Sequence, residues 1–291
     1  MVEKDIILQL VQKGIFKENE LSYKKLDGGT SSHIVIIEDI AKQQYILKCN
    51  ESSIIQEEIQ FLHFYQDICY FPKVLYRDSS FEYFIYHFLK GSTIQAHKNK
   101  KAVLVQLTEN VFNYYKPLST INGWGWTNYP CSSWHEFSQN EVASVEEIIG
   151  SHLLNSEDIK LVHNIMKRLE KKHSLQQPYL LHGDCGFHNF LFIDETISGV
   201  IDPMPLIGDP LHDLLFAFCS SPADLTKETI HSVVTHLSTW DYDTKSLNYH
   251  VLISLFIRMA RCSMHHPDDL PTYLLAWSYW KEIIEQDQKN F

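Results

Sequence analysis

The stretch His182-Gly183-Asp184-Cys185-Gly186-Phe187-His188-Asn189 sets an asparagine five residues after an aspartate, in a segment broken by two glycines. Phe190 to Ile193 follows as a short β-prone run, Asp194-Glu195-Thr196 as a turn, and Ile197 to Ile201 as a returning strand that ends at Asp202. A hairpin turning about Glu195 puts position 189 opposite 202, so Asn189 and Asp202 meet at its open end. A carboxamide oxygen and a carboxylate facing one point suit a hard divalent ion such as Mg2+, which keeps several waters and takes phosphate oxygens in its remaining positions. Asp184, just upstream, is placed to accept a proton beside that ion.

Working outward, the first ninety residues mix strand and helix. His33 to Ile37 and Gln43 to Lys48 read as a hairpin. Turning about Ile40, it brings Lys48 opposite Ser32, at the end of Asp27-Gly28-Gly29-Thr30-Ser31-Ser32. Adjacent glycines let backbone N–H groups approach an anion without Cβ obstruction, so Gly28, Gly29, Thr30 and Ser31 above a lysine form a candidate phosphate cradle. A helix follows, with Ser53 and Gln56 spaced as a capping box and Ile55, Ile59, Leu62 and Tyr65 as an apolar stripe. It carries Glu58, ten residues beyond Lys48, as a candidate ion-pair partner, with Glu57 on the neighbouring face as the alternative. Val74 to Tyr76 and Phe81 to Leu89 read as two more strands around the turn Arg77-Asp78-Ser79-Ser80. Beyond Lys90-Gly91-Ser92, helices are expected near 98–115, 156–173, 224–238, 246–263 and 271–286, with a Gly/Trp-rich loop around 122–134.

With these pieces together, the chain resembles the aminoglycoside phosphotransferase and choline kinase group of small-molecule kinases, which share the protein-kinase fold. His182-Gly183-Asp184 followed by Asn189 is similar to that group's catalytic loop. The resemblance implies a bilobal α+β fold: a nucleotide-binding lobe over residues 1–89, built of an antiparallel sheet plus a helix, and a mostly helical catalytic and substrate lobe over 90–291. It also implies Asp184 as catalytic residue, Asn189 and Asp202 as Mg2+ ligands, and Lys48 on the phosphates with Glu58 as its partner. His87, Phe88 and Leu89 would be the hinge against the base of ATP or GTP, and Asp213 a structural brace. Gly28-Gly29 in place of GxGxxG, Asp202-Pro203-Met204 in place of DFG, and no APE segment favour a small-molecule kinase over a protein kinase.

Composition bounds the partners. At 291 residues and 44% hydrophobic, the chain has material for a substantial core. Its 25 Lys and Arg against 36 Asp and Glu, a net charge of −11, argue against nucleic acid as a partner. Acids in Met1-Val2-Glu3-Lys4-Asp5 and the lack of an apolar run of roughly 18 to 20 residues give the expectation of a cytoplasmic protein with no membrane partner. Six cysteines without a CxxC pair suggest neither zinc site nor disulfide framework. Cys185 reads as a small loop filler and His182 as a hydrogen-bonding support. Trp124, Trp126, Tyr129 and Trp134 either stack on substrate or pack their loop. Asp268, Asp269, Glu282, Glu285 and Asp287 form an acidic wall or a solvated surface.

The expected activity is transfer of the γ-phosphoryl group of a nucleoside triphosphate to a hydroxyl of a small metabolite or antibiotic. The chain's acidity and its Trp-rich loop tilt the expectation toward an aminoglycoside or other cationic acceptor, with choline-like, homoserine-like and sugar-like acceptors as alternatives. A metal-dependent hydrolase built on His182, Asp184, His188, Asp202, Asp209, His212 and Asp213 and a non-catalytic pseudokinase are the competing readings.

Overall fold

The computed structural model describes residues 3–17, 21–26, 32–93, 99–172, 177–239 and 243–289. Strands β1 (Ser22–Lys25), β2 (His33–Glu38), β3 (Gln44–Cys49), β4 (Val74–Arg77) and β5 (Tyr83–His87) form an antiparallel sheet in the order β1-β2-β3-β5-β4. Alternation along the strands splits its two faces. Leu47, Tyr83 and Ile85 point to a small core with Ile6, Ile7 and Leu10 of α1 (Glu3–Gln12). Ile46, Phe84 and Tyr86 point the other way, against Ile55, Ile59, Phe61 and Leu62 of α2 (Ser52–Phe64). Ile55, Ile59, Leu62 and Tyr65, the expected stripe, are all buried, each worth about 1.5–3 kcal/mol in removed apolar surface for the aliphatic members. Lys48 shares its face with Ile46, two residues away, and is thereby aimed at α2.

Two local expectations fail in this half. The first hairpin turns about Ala41, and Lys48 pairs with Ile34 instead of Ser32. Lys42 takes φ 64° and the Asp39 carboxylate accepts from Gln43 N at 2.9 Å, closing a five-residue loop that moves the centre by one residue and the pairing by two. The capping box does not form: α2 starts at Ser52, and Glu51 at its N-cap offers no side-chain hydrogen bond.

The C-terminal part is mostly helical: α3 (Lys100–Asn110), α4 (Trp134–His152), α5 (Ser156–Lys172), α6 (Leu211–Cys219), α7 (Lys227–Val234), α8 (Thr244–His265) and α9 (Leu270–Lys289). A small sheet orders β6 (Gly125–Trp126), β10 (Leu206–Gly208) and β7 (Tyr179–Leu181) with β10 in the middle, and β8 (Phe190–Ile193) pairs with β9 (Thr196–Val200). The fold is α+β, with the antiparallel sheet N-terminal, as the sequence led us to expect.

Helix α4 was not among the expected helices. Its N-terminus is set by Ser133, whose hydroxyl accepts from Glu136 N at 3.0 Å, and Phe137, Val142, Val145 and Ile149 bury its inner face. The chain after β5 is pinned to the second hairpin, since Ser92 and Phe192 exchange backbone hydrogen bonds at 2.9 and 3.0 Å.

Candidate active site

The loop after β7 is fixed from beneath by Asp213 of α6. Its Oδ2 accepts from His182 N at 2.8 Å and from the Tyr115 hydroxyl at 2.6 Å, and its Oδ1 accepts from Gly183 N at 3.0 Å. Gly183 sits at φ 80°, and a Cβ there would overlap the Met204 carbonyl oxygen, so glycine is required twice over. His182 is fully buried between Phe61 and Phe71. Burial pushes its pKa down, so the ring is neutral, with Nε2–H donating to Ile201 O at 2.9 Å and Nδ1 accepting from Asp184 N at 3.3 Å. It supports the loop, as the sequence suggested.

Asp184 and Asn189 meet through the intervening 3-10 turn of Phe187–Asn189. The Asn189 amide nitrogen donates to Asp184 O at 2.9 Å and to Asp184 Oδ2 at 3.0 Å, which leaves the carboxamide oxygen as the group that can face a cation. His188 Nε2 lies 3.4 Å from Asp184 Oδ2. Burial pushes the Asp184 carboxyl up, but His188, His182 and Asn189 outweigh it and hold it below the ordinary value.

Lys48 bridges the two halves of the site. Its Nζ is 2.6 Å from Glu58 Oε2 and 2.9 Å from Asp202 Oδ1, and the lysine is only 3% exposed. Burial lowers its pKa, yet the two carboxylates more than reverse this and hold it above its ordinary value. Of the two glutamates left open by the sequence, Glu58 takes Lys48, while Glu57 accepts from Thr127 Oγ1 at 2.5 Å across to the Trp-rich loop.

Asp202 is not opposite Asn189 in register. The hairpin turns on Asp194-Glu195 with Ile193 against Thr196, a bulge follows at Leu191/Phe192, and the Asn189 carbonyl accepts from Ile201 N at 3.0 Å. Asp202 is the next residue, at φ 59°, turned onto Lys48.

At the expected hinge, Phe88 N donates to Gln44 O at 3.1 Å and His87 N to Lys73 O at 3.2 Å, while Leu89 lies against Gly199 of β9. Gly28, Gly29, Thr30 and Ser31 lie outside the described residues. The seven groups of the hydrolase reading do not converge: Asp213 serves the loop backbone, His212 packs on Trp134 and Phe137, and Asp209 Oδ1 accepts from Leu211 N at 2.9 Å. Cys185 is buried with its thiol pushed well up by desolvation, which suits a filler. Trp126 and Trp134 pack on Phe137, whereas Tyr129 is exposed. Sequence reasoning missed Tyr115 and Thr127, and no local signal at 115 or 127 points to partners at 213 and 57.

A family model described as the phosphotransferase enzyme family matches residues 22–244. The chain belongs to that family. Choline kinase from Cryptosporidium parvum Iowa II superposes with a TM-score of 0.63 at 13% identity, over 98% of this chain and 97% of that one. Aminoglycoside phosphotransferase APH(4)-Ia gives 0.61 at 14% identity, over 96% and 98%. A thermostable mutant of it, in ternary complex with ADP and hygromycin B, gives 0.59 at 16% identity, over 94% and 96%. At these identities the likeness is one of fold. A Staphylococcus aureus (strain NCTC 8325 / PS 47) protein named "probable ketoamine kinase" is 33% identical over 73 residues, so the match spans about a quarter of each chain, 24% of this one and 25% of that. Among the described residues, no helix is long and apolar enough to cross a membrane.

Proposed function

We propose that this phosphotransferase moves the γ-phosphoryl group of ATP or GTP to a hydroxyl of a small molecule. The observation that carries the reading is the double contact of buried Lys48 with Glu58 and Asp202. A lysine fixed and charged in this way is a ready partner for phosphate oxygens, and Glu58 sets its direction. Gly28, Gly29, Thr30 and Ser31 are assigned to the phosphates, and His87, Phe88 and Leu89 to the base. Asn189 and Asp202 present oxygen atoms alone, a donor set that fits Mg2+, and these two residues would hold it. When bound, Mg2+ neutralises charge on the phosphate oxygens.

Asp184, kept below its ordinary pKa, is ionised at neutral pH and accepts the proton of the acceptor hydroxyl. The hydroxyl oxygen bonds to the γ-phosphorus as the bond to the β,γ-bridging oxygen breaks. The nucleoside diphosphate leaves with that electron pair, and the proton passes from Asp184 to water. Asp213, through the backbone of 182 and 183, keeps Asp184 in place.

For the acceptor, the named relatives span choline, hygromycin B and a ketoamine. A mass-spectrometric search for one added phosphoryl group, with Mg-ATP or Mg-GTP and a mixed acceptor panel, tests the reading. Wild type should yield a product that Asp184→Asn makes at least about a hundredfold more slowly with nucleotide binding retained. Equal turnover by the variant refutes the role of Asp184, and a wild type that binds no nucleotide refutes the kinase reading.

A further inference from the structure

Between α4, α6 and α8 lies an open pocket lined by side chains of all three helices. Helix α6 is a wall it shares with the catalytic loop. His212, Leu215 and Phe216 face the pocket, while Asp213 holds the backbone of 182 and 183, and Ser220 just beyond the helix accepts from Phe187 N at 3.2 Å. Trp134 and Phe137 from α4 and Ile253 and Ile257 from α8 make the rest of the lining largely apolar and partly aromatic.

The charged groups of the lining do not suit a polycation. Arg258 and Arg261 stand three residues apart on α8. Against them is Glu141, already bonded to Arg261 Nη2 at 2.8 Å and to Trp126 Nε1 at 3.1 Å. The other acid is Asp209, whose carboxyl burial pushes up to about 6, still ionised at neutral pH, and whose Oδ1 already accepts from Leu211 N. In a chain of net charge −11 this pocket has no negative excess, and Asp268, Asp269, Glu282, Glu285 and Asp287 contribute nothing to its lining. A polycation would meet two guanidinium groups and two carboxylates that already hold donors, a lining with no net negative charge to draw it.

We propose that the acceptor is a hydroxyl compound with a ring-sized apolar body and a single anionic group, seated between α4, α6 and α8 with the anion toward Arg258 and Arg261. The proposal rests on the phosphotransferase reading and names its substrate class, which departs from the cationic acceptor that net charge and the Trp-rich loop suggested.

Calorimetric titration of the full chain with 4-(hydroxymethyl)benzoate, its methyl ester and kanamycin tests it. The carboxylate should bind at least about tenfold tighter than the ester, and kanamycin weakest. In Arg261→Gln, which keeps a donor for Glu141, the carboxylate's advantage should fall to within about threefold. Ile257→Trp, which fills the pocket, should abolish its binding. An ester that binds as well as the carboxylate, tightest binding by kanamycin, an advantage that survives Arg261→Gln, or no binding by any probe overturns the proposal. A thermal shift by Mg-ATP, read in parallel, reports folding of each variant and separates the two failures. With nucleotide bound and no preference for the anion, the acceptor class falls and the phosphotransferase stands, whereas absence of nucleotide binding sinks the latter.

Discussion

Replacing Asp213 by asparagine should loosen the loop that carries Asp184, by an amount that follows from its partners. The carboxylate is fully buried and accepts three hydrogen bonds, from Tyr115, His182 N and Gly183 N. An asparagine offers one acceptor oxygen. If its amide nitrogen takes the Oδ1 position it faces Gly183 N–H, and if it takes Oδ2 it faces His182 N–H. Tyr115 can reverse its hydroxyl and accept, but a backbone N–H cannot, so one buried donor is left unpaired at about 1–3 kcal/mol. The surviving bonds drop from charge-assisted to neutral strength, about 1 kcal/mol each. The sum is a loss of about 3–5 kcal/mol, against about 2 kcal/mol for Tyr115→Phe, which removes a single charge-assisted bond. Urea unfolding of both variants and the double variant gives the values and their coupling. Because the loop aims Asp184 while Lys48 binds elsewhere, kcat should fall more than KM for the nucleotide rises. A loss under about 1 kcal/mol in Asp213→Asn, or additive single effects, refutes the brace as described.

Three other outcomes follow from buried charges. Glu58→Gln leaves the Lys48 ammonium with Asp202 alone and should cost about 2 kcal/mol in unfolding free energy and raise KM for the nucleotide; unchanged values of both would remove the ion pair from the machinery. Asp209 has a folded pKa raised from 3.8 to about 6, so its ionised form destabilises the native state as pH rises between those values. Asp209→Asn should accordingly be more stable than wild type by up to about 3 kcal/mol at pH 8, with the gain mostly gone at pH 4, as thermal midpoints at the two pH values would report. Lys100 is buried with its pKa pushed down to about 7, and its Nζ donates to Ser221 O at 2.9 Å and Ala223 O at 2.6 Å. The unfolded chain holds that proton to higher pH than the native one, so wild type should gain on Lys100→Met between pH 7 and 9.5, by up to about 3 kcal/mol; a flat or falling difference in urea midpoints would contradict the sign.

Much of the site was legible because its residues lie on short local elements with a strong period. Lys48 is on the face of Ile46 by alternation, Glu58 is buried among the stripe of α2, and the spacing from 184 to 189 spans one tight turn. Registers were the weak point. Lys42 at φ 64° and the bulge near Leu191 each displaced a pairing, and neither lysine nor leucine announces such a conformation. Helix α4 was written in the spacing Ser133-Trp134-His135-Glu136, but the glycines and tryptophans before it read as a loop and hid its start. Contacts between distant segments, Tyr115 with Asp213 and Thr127 with Glu57, leave no mark in either segment and arise only when the helices pack.

Those distant contacts also explain why one short helix bears on both halves of the proposed reaction. The nine residues of α6 present Asp213 toward the loop of Asp184 and His212, Leu215 and Phe216 toward the pocket. Arg258, from the pocket's far wall, donates to Ser220 O at 3.1 Å, and Ser220 Oγ accepts from Phe187 N. A group that draws Arg258 therefore pulls on the residue that holds the other end of the loop carrying Asp184. Specificity and alignment share these bonds, so substitutions in the pocket at Arg258 are expected to change kcat as well as acceptor KM, while Arg261, whose partner is Glu141, should change acceptor KM with less effect on kcat.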